Sequence, residues 1–357
     1  MTFYLLFILL LVFLQISFLK NGIINKYKLH IFIFILFLTI GGFRYEVGAD
    51  WFSYRDIFIE NNISFSIENL LTDPLFYLLQ RLCYILENSF SLFIFITFFI
   101  TFYFKYVVIK KYSINMYMSL IIYFSGIFLI FDINGIRQGL ALTFVLYSFR
   151  YIFERNFLKY LFFVFISSFL HLSAIIVLPI YFLYNTKMTN KKYILFSFVF
   201  IVLGLSISNV IFPFIDQFII NTGYSGRLDY YSNSVNYTTT FNFFDIASIR
   251  RIVLWIFILF TTWKDNSIQT MFYKNVYMFS LLIFYSSLNS LEVAYRLSYY
   301  YFLVEIFIIP ISINSIKNIG LKRIFYMLFL LYYFYMAFKL ISNPYGMLDN
   351  YNFVLFI

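Results

Sequence analysis

The chain has 357 residues, of which 62% are hydrophobic and only 12% charged, against roughly a quarter charged in soluble domains; a water-soluble globule is excluded and lipid is the expected solvent. Its net charge of +10 is scattered in small groups between apolar runs and not gathered in one stripe, which argues against nucleic acid as a partner. With one cysteine, Cys83, and two histidines, His30 and His171, neither a disulfide framework nor a cysteine–histidine metal cluster can be built, and no metal or other cofactor is expected.

Apolar runs near the length needed to cross a bilayer predict an all-α polytopic membrane protein of about 12 transmembrane helices, given spans of roughly 17–25 residues with some shorter ones. In chain order they lie near 2–19, 30–43, 89–108, 116–131, 137–154, 157–170, 172–185, 193–212, 250–263, 271–288, 297–315 and 324–341. The first run lacks a charged n-region and a small-residue cleavage site, and its positive charges follow it, so it reads as a helix and not as a signal peptide. No internal repeat and no Gly/Ser- or Pro-rich linker interrupts the series. Residues 1–357 therefore read as one multi-span domain, with larger outer loops at about 44–88 and 213–249.

The basic residues orient these spans by the positive-inside rule. With Lys20, Lys26 and Lys28 in the cytoplasm, alternation puts Lys105, Lys110 and Lys111 on the same side. Arg150, Arg155 and Lys159, then Lys187, Lys191 and Lys192, then Lys264 and Lys274, then Lys317, Lys322 and Arg323 follow them there. Of the acids only Glu154 and Asp265 share those loops, and both termini are expected outside. The arginines that break the rule carry the information: Arg44, Arg55, Arg81, Arg137, Arg227, Arg250, Arg251 and Arg296 sit at or beyond the outer boundary, where lysine is limited to Lys339. A guanidinium holds phosphate or carboxylate oxygens in a two-pronged grip and stays charged, so such a face suits an anion. The plainer reading pairs each with a nearby acid: Arg44 with Glu46 or Asp50, Arg137 with Asp132, Arg227 with Asp229 and Arg296 with Glu292.

Individual segments add chemistry. Gly41-Gly42 permits a turn directly before Arg44. The polar break Asp132-Ile133-Asn134-Gly135 ends with Arg137 and Gln138 opening the next helix, whose free N–H groups favour an anion. His171 stands between two short apolar runs that make a helical hairpin, with Ser167 and Ser168 one turn earlier. A histidine there can accept a proton, and an imidazole closing the hairpin through a serine or carbonyl hydrogen bond is the competing role. Glu305 is an acid inside a span, which marks a functional candidate unless a tyrosine holds it. In the 213–249 loop, Tyr224, Arg227, Asp229, Tyr230, Tyr231 and Tyr237 suit a sugar face or an interfacial aromatic belt.

In order and spacing, Arg44-Tyr45-x-Val47-Gly48-x-Asp50-x-x-x-Tyr54, Ile136-Arg137-Gln138-x-x-Ala141 and His171-x-Ser173-Ala174 resemble the EpsG-like group of bacterial polysaccharide polymerases, which includes many O-antigen polymerases of the Wzy type. The resemblance implies an enzyme of the bacterial cytoplasmic membrane that joins undecaprenyl-diphosphate-linked oligosaccharide repeat units at the outer face. It implies no cofactor; the implied partners are the lipid-linked oligosaccharide, the bilayer and a chain-length regulator protein. Under it, Arg137 and Arg296 would stabilise the departing diphosphate. Arg44, Tyr54, Gln138, Arg227 and Glu305 would help bind substrate. His171 would be the first candidate for general base, and Asp50 or Asp132 the second. No Asp-x-Asp pair for a metal-bound nucleotide sugar is present. The alternatives are a lipid-linked oligosaccharide flippase, an O-antigen ligase or another polyprenyl-dependent glycosyltransferase. A flippase would be expected to carry charges deep in its spans and internal duplication.

Overall fold

Backbone groups inside hydrocarbon must find their hydrogen bonds within their own segment, so continuous apolar runs are expected to fold as helices. In the computed structural model, which describes residues 4, 7–11, 26–63, 73–221, 243–288, 291–343, 346–348 and 352–353, they do. The expected run at 2–19 lies largely outside these residues, as do the tyrosine-rich part of the 213–249 loop and Arg227. Four stretches among the described residues, Phe90–Tyr112, Met116–Asn134, Asn190–Ser208 and Ile319–Ile341, are long and apolar enough to cross a bilayer, and a bent helix pair makes a fifth. This is fewer than the dozen expected, in part because the runs near 30–43, 157–170 and 172–185 form helices of only 10–17 residues. Large apolar side chains such as Phe162, Phe198 and Phe260 point outward, 59%, 67% and 81% exposed, as expected of a surface that faces lipid. The protein is an all-α membrane protein.

The chain divides into two compact units, residues 1–178 with 317–357, and residues 179–316. In the first, α1 (Lys26–Gly42) packs on α4 (Phe90–Tyr112) along a seam of rings in which Phe37 stacks on Phe102 at 4.5 Å. Gly41 matters there because the Phe98 ring occupies the space a Cβ would need. Between them in sequence come β1 (Arg44–Tyr45), α2 (Trp51–Ile63) and α3 (Pro74–Glu87). Helix α5 (Met116–Tyr123) continues as a π-helix over Phe124–Asn134, and α6 (Ile136–Phe153) follows it. At Gly139 of α6, a Cβ would lie 2.6 Å from the Phe131 carbonyl oxygen and 2.8 Å from Asp132 Oδ1, so only glycine lets the two segments meet this closely. Helix α7 (Phe157–Leu170) and a 3-10 helix (Leu172–Leu183) form the expected hairpin, with the Tyr160 hydroxyl donating to the Val177 carbonyl. Helix α13 (Ile319–Ile341) runs beside α5, where Asn115 Nδ2 donates to the Tyr326 hydroxyl at 3.4 Å. Its chain then returns to pair β2 (Asn352–Phe353) antiparallel with β1, Arg44 opposite Phe353 and Tyr45 opposite Asn352. Gly48, at φ +102°, donates its N–H to the Met347 carbonyl beside this clasp.

The second unit contains α8 (Asn190–Asn221), α9 (Ile246–Thr261), α10 (Ile268–Ser286), α11 (Leu291–Phe302) and α12 (Glu305–Asn314). Helices α11 and α12 meet at a bend of 52°. Buried Asn275 ties this unit together. Its Nδ2 donates to the carbonyls of Leu183 and Thr186 at 2.7 and 2.8 Å, and its Oδ1 accepts from the Tyr193 hydroxyl at 2.7 Å.

Two of the lysines expected on the cytoplasmic side are buried within their units instead of standing at the surface. Lys105 is fully buried in α4, and Lys274 is buried in α10 with its ammonium 4.7 Å from the Tyr193 ring centre. The positive-inside pattern counts lysines by sequence position and cannot tell a loop cation from one that has found a partner within the bundle. Arg150 and Glu154 do behave as surface charges, 2.7 Å apart at helical spacing.

Candidate functional site

The residues singled out in the first unit converge on an acid that the sequence presents as a mere helix cap. Asp73 precedes Pro74 at the start of α3, the position where an aspartate normally accepts from the first free N–H groups. It makes no such side-chain cap. One carboxylate oxygen, Oδ2, lies 2.8 Å from Arg137 Nη1, and the other, Oδ1, lies 3.9 Å from His171 Nδ1. The second of these is an ion-pair distance, longer than a hydrogen bond. The guanidinium lies over the Tyr54 ring at 5.7 Å and near Phe76 at 6.0 Å, and the backbone N–H of Arg137 points at the Tyr54 hydroxyl at 3.5 Å. Side-chain exposures of 11% for Asp73, 24% for His171 and 32% for Arg137 leave the acid inside and both partners reachable.

Local structure explains the placement. His171 interrupts two helices with an extended backbone, φ −159° and ψ 113°, so its side chain leaves the hairpin tip free of either helix face. Arg137 is the second residue of α6, after Gly135, whose position supplies no side-chain cap. Burial alone would raise the Asp73 carboxyl, but the His171 imidazole and the Arg137 guanidinium outweigh it and hold the group below the usual carboxylate range. Asp73 faces the Nδ1 edge of the imidazole and leaves Nε2 on the opposite edge of the ring.

Other expected site residues form a different assembly. Asp132, a candidate second base, is buried with its carboxylate on the Lys105 ammonium and the Tyr123 hydroxyl, not beside Arg137 or His171. Arg44 is 2% exposed and turns its guanidinium inward, donating to the carbonyls of Gly41 and Ile133, not to Glu46 or Asp50. The Ser167 and Ser168 hydroxyls donate to carbonyls of their own helix, Phe163 and Val164, so neither holds the imidazole, while the Ser167 carbonyl accepts from the His171 backbone N–H at 2.9 Å. Asp50 lies just before α2, its carbonyl accepting from the Tyr54 N–H at 2.9 Å, and Gln138 is buried at the start of α6.

In the second unit, Arg250 Nη2 contacts Glu305 Oε2 at 3.0 Å. The acid inside a span is thus answered by an arginine and not by a tyrosine. Arg251, 1% exposed, is packed among rings, 3.7 Å from the Phe284 centroid and 4.3 Å from Phe302. Arg296 lies half-buried on α11. Among the described residues no group of three or more His, Cys, Asp or Glu is arranged to hold a metal ion.

The EpsG family model matches residues 27–355. The chain belongs to the EpsG family. This is a Wzy-like polymerase family, associated with glycosyltransferase-like polymerase activity in membranes. No curated protein and no solved structure matches the chain. Within this EpsG protein the three motifs noted in the sequence are brought to one place in part: Tyr54, Arg137 and His171 meet, whereas Arg44 is turned into the core. Asp73, which joins them, was missed as a site residue because Asp-Pro before an apolar run is the ordinary signature of a helix start.

Proposed function

We infer that this EpsG protein is a polymerase that joins undecaprenyl-diphosphate-linked oligosaccharide repeat units at the outer face of the bacterial cytoplasmic membrane, building O-antigen or a related surface polysaccharide. The observation that carries the reading is the Arg137–Asp73–His171 cluster: a base and a cation held by one shared carboxylate, which is the pair of functions this transfer needs. The acceptor sugar hydroxyl attacks the anomeric carbon of the donor glycan; the bond from that carbon to the diphosphate oxygen breaks. The hydroxyl proton passes to His171 Nε2, and undecaprenyl diphosphate departs with its developing charge facing Arg137. The leaving group is already a weak base, so cationic stabilisation serves it better than protonation. Arg137 retains donors beyond the one that meets Asp73, and its aromatic neighbours Tyr54 and Phe76 keep the guanidinium plane in place.

A flippase, expected to carry charges deep in its spans, is the second reading, favoured by the Lys105–Asp132 and Arg250–Glu305 pairs within helices; the half-open Arg137–Asp73–His171 cluster favours the polymerase. The test is the surface-glycan ladder of a strain lacking this protein, complemented with variants. Wild type restores long chains; Arg137→Ala and the charge-preserving Arg137→Lys leave single capped repeat units, because lysine offers a point charge and no fork. Long chains from both variants, at normal membrane levels of protein, would overturn the assignment, and complete loss of surface sugar in the deletion strain would indicate a flippase or ligase.

A further inference from the structure

At the end of α1 and α4 remote from the clasp between β1 and β2, a cleft of about 720 Å³ opens between the two helices, within the roughly 300–1,000 Å³ range of small-molecule sites. Its walls are hydrocarbon and rings. Phe34 meets Phe99 edge-on at 6.2 Å and Tyr103 at 6.5 Å, and Ile31 and Val107 complete the lining. Its rim is cationic. Lys110 and Lys111 close the cleft on α4; Lys28 stands exposed one turn before Ile31 on α1. The Tyr106 hydroxyl, donating to the His30 carbonyl at 3.0 Å, brings these two helix ends to one level. Lys111 lies 3.9 Å from Glu154, while Lys110 and Lys28 are exposed and have no ion-pair partner among the described residues. No carboxylate lines the cleft.

We propose that this cleft binds an anionic phospholipid, its acyl chain against Phe34, Phe99, Tyr103 and Val107 and its phosphate at Lys110 and Lys28. An apolar slot with cations at one end complements an amphiphile with a hydrocarbon chain and a negative headgroup, and basic pockets between helices recognise anionic headgroups in this way. With no carboxylate among the described lining residues, the cationic rim favours a headgroup of net negative charge over a zwitterionic one. The site uses none of Asp73, Arg137 and His171, so it stands or falls apart from the polymerase reading. The lysines are also those that the positive-inside distribution assigns to the cytoplasmic leaflet, where anionic lipid supplies roughly a fivefold gain in partitioning for each nearby basic residue.

The experiment is native mass spectrometry of full-length protein released from bilayers of equal phosphatidylglycerol and phosphatidylcholine. Wild type is expected to retain phosphatidylglycerol in excess, and the double variant Lys28→Gln/Lys110→Gln to lose that excess by roughly 25-fold, as two such contributions combine. Val107→Trp, which fills the cleft and keeps both lysines, is expected to lose bound lipid of either kind. Equal retention of the two lipids by wild type, an unchanged excess in the lysine variant, or undiminished lipid in Val107→Trp would each overturn the proposal.

Discussion

Asp73 and Asp132 each face a cation and a second polar side chain in the same unit, yet the two clusters are different devices. The Asp132 carboxylate and the Lys105 ammonium are both fully buried, with Tyr123 closing the remaining oxygen. The partners of Asp73 are a quarter to a third exposed, and Asp73 forgoes its cap to reach them. What separates them is access. The buried pair joins α4 to the π-helix with neither side chain exposed, whereas the half-open pair leaves two groups within reach of something that arrives from outside. An arginine or acid at a boundary is therefore read by what its remaining donors can still touch, and not by charge alone.

Replacing one partner of the closed cluster is the harshest way to separate the two. Lys105→Met leaves Asp132 buried without its counter-ion, an expected loss of about 3–5 kcal/mol, and thermal unfolding in detergent should show little folded protein. The double variant Lys105→Met/Asp132→Leu should recover much of it; if the double variant polymerises glycan normally, Asp132 has no part in the chemistry. In the open cluster the opposite pattern is expected. His171→Ala should shorten the glycan ladder to single units, a rate loss of roughly 10²–10⁴-fold for a missing general base, with an unfolding temperature near wild type. A normal ladder would return His171 to the role of closing its hairpin.

Gly139→Ala tests how far the clusters depend on one another. The added Cβ presses on the Phe131 carbonyl and on Asp132, an overpacking expected to cost about 1–3 kcal/mol, measured as a lowered unfolding temperature; an unchanged temperature would show that the π-helix yields freely. The smallest effect concerns pH. Because Asp73 is held below its ordinary value of 3.8, its contribution to stability is fully present above that value and is lost only as pH falls through the lower folded one. The difference in unfolding temperature between wild type and Asp73→Asn should shrink as pH falls below about 4. A difference that stays unchanged there would contradict the depressed carboxyl.

Much of the helix map was legible because apolar runs of these lengths have few other structures open to them in lipid. The kind of helix was not. Residues 124–131 and Leu172–Leu183 are almost wholly apolar, so no polar face betrays a wider or tighter winding, and both read as ordinary spans, while 132–134 read as a polar break and instead form the last turn of the π-helix. Of the site, Arg137 and His171 stood out by residue type against an apolar background, and the hairpin at His171 followed from two short runs. Their shared partner did not stand out, since Asp73 is separated in sequence from Arg137 by 64 residues and sits in a dipeptide with a sufficient local explanation. Lys105 misled for the same reason in reverse: its acid lies 27 residues further on, where the topology rule does not look.

The small clasp of β1 with β2 sets a condition of parity on the expected spans. Tyr45 and Asn352 are ladder partners, so they share one side of the membrane, and the chain between them must cross it an even number of times. The spans expected from 89–108 to 324–341 pair off with none left over. Reading the His171 hairpin as re-entrant removes two crossings together and leaves the tail where it is, whereas counting α11 and α12 as two separate crossings would strand Asn352 on the far side. With those expected spans, the bend of 52° between them fits a kink within a single passage, and two residues of strand put one condition on the chain between them.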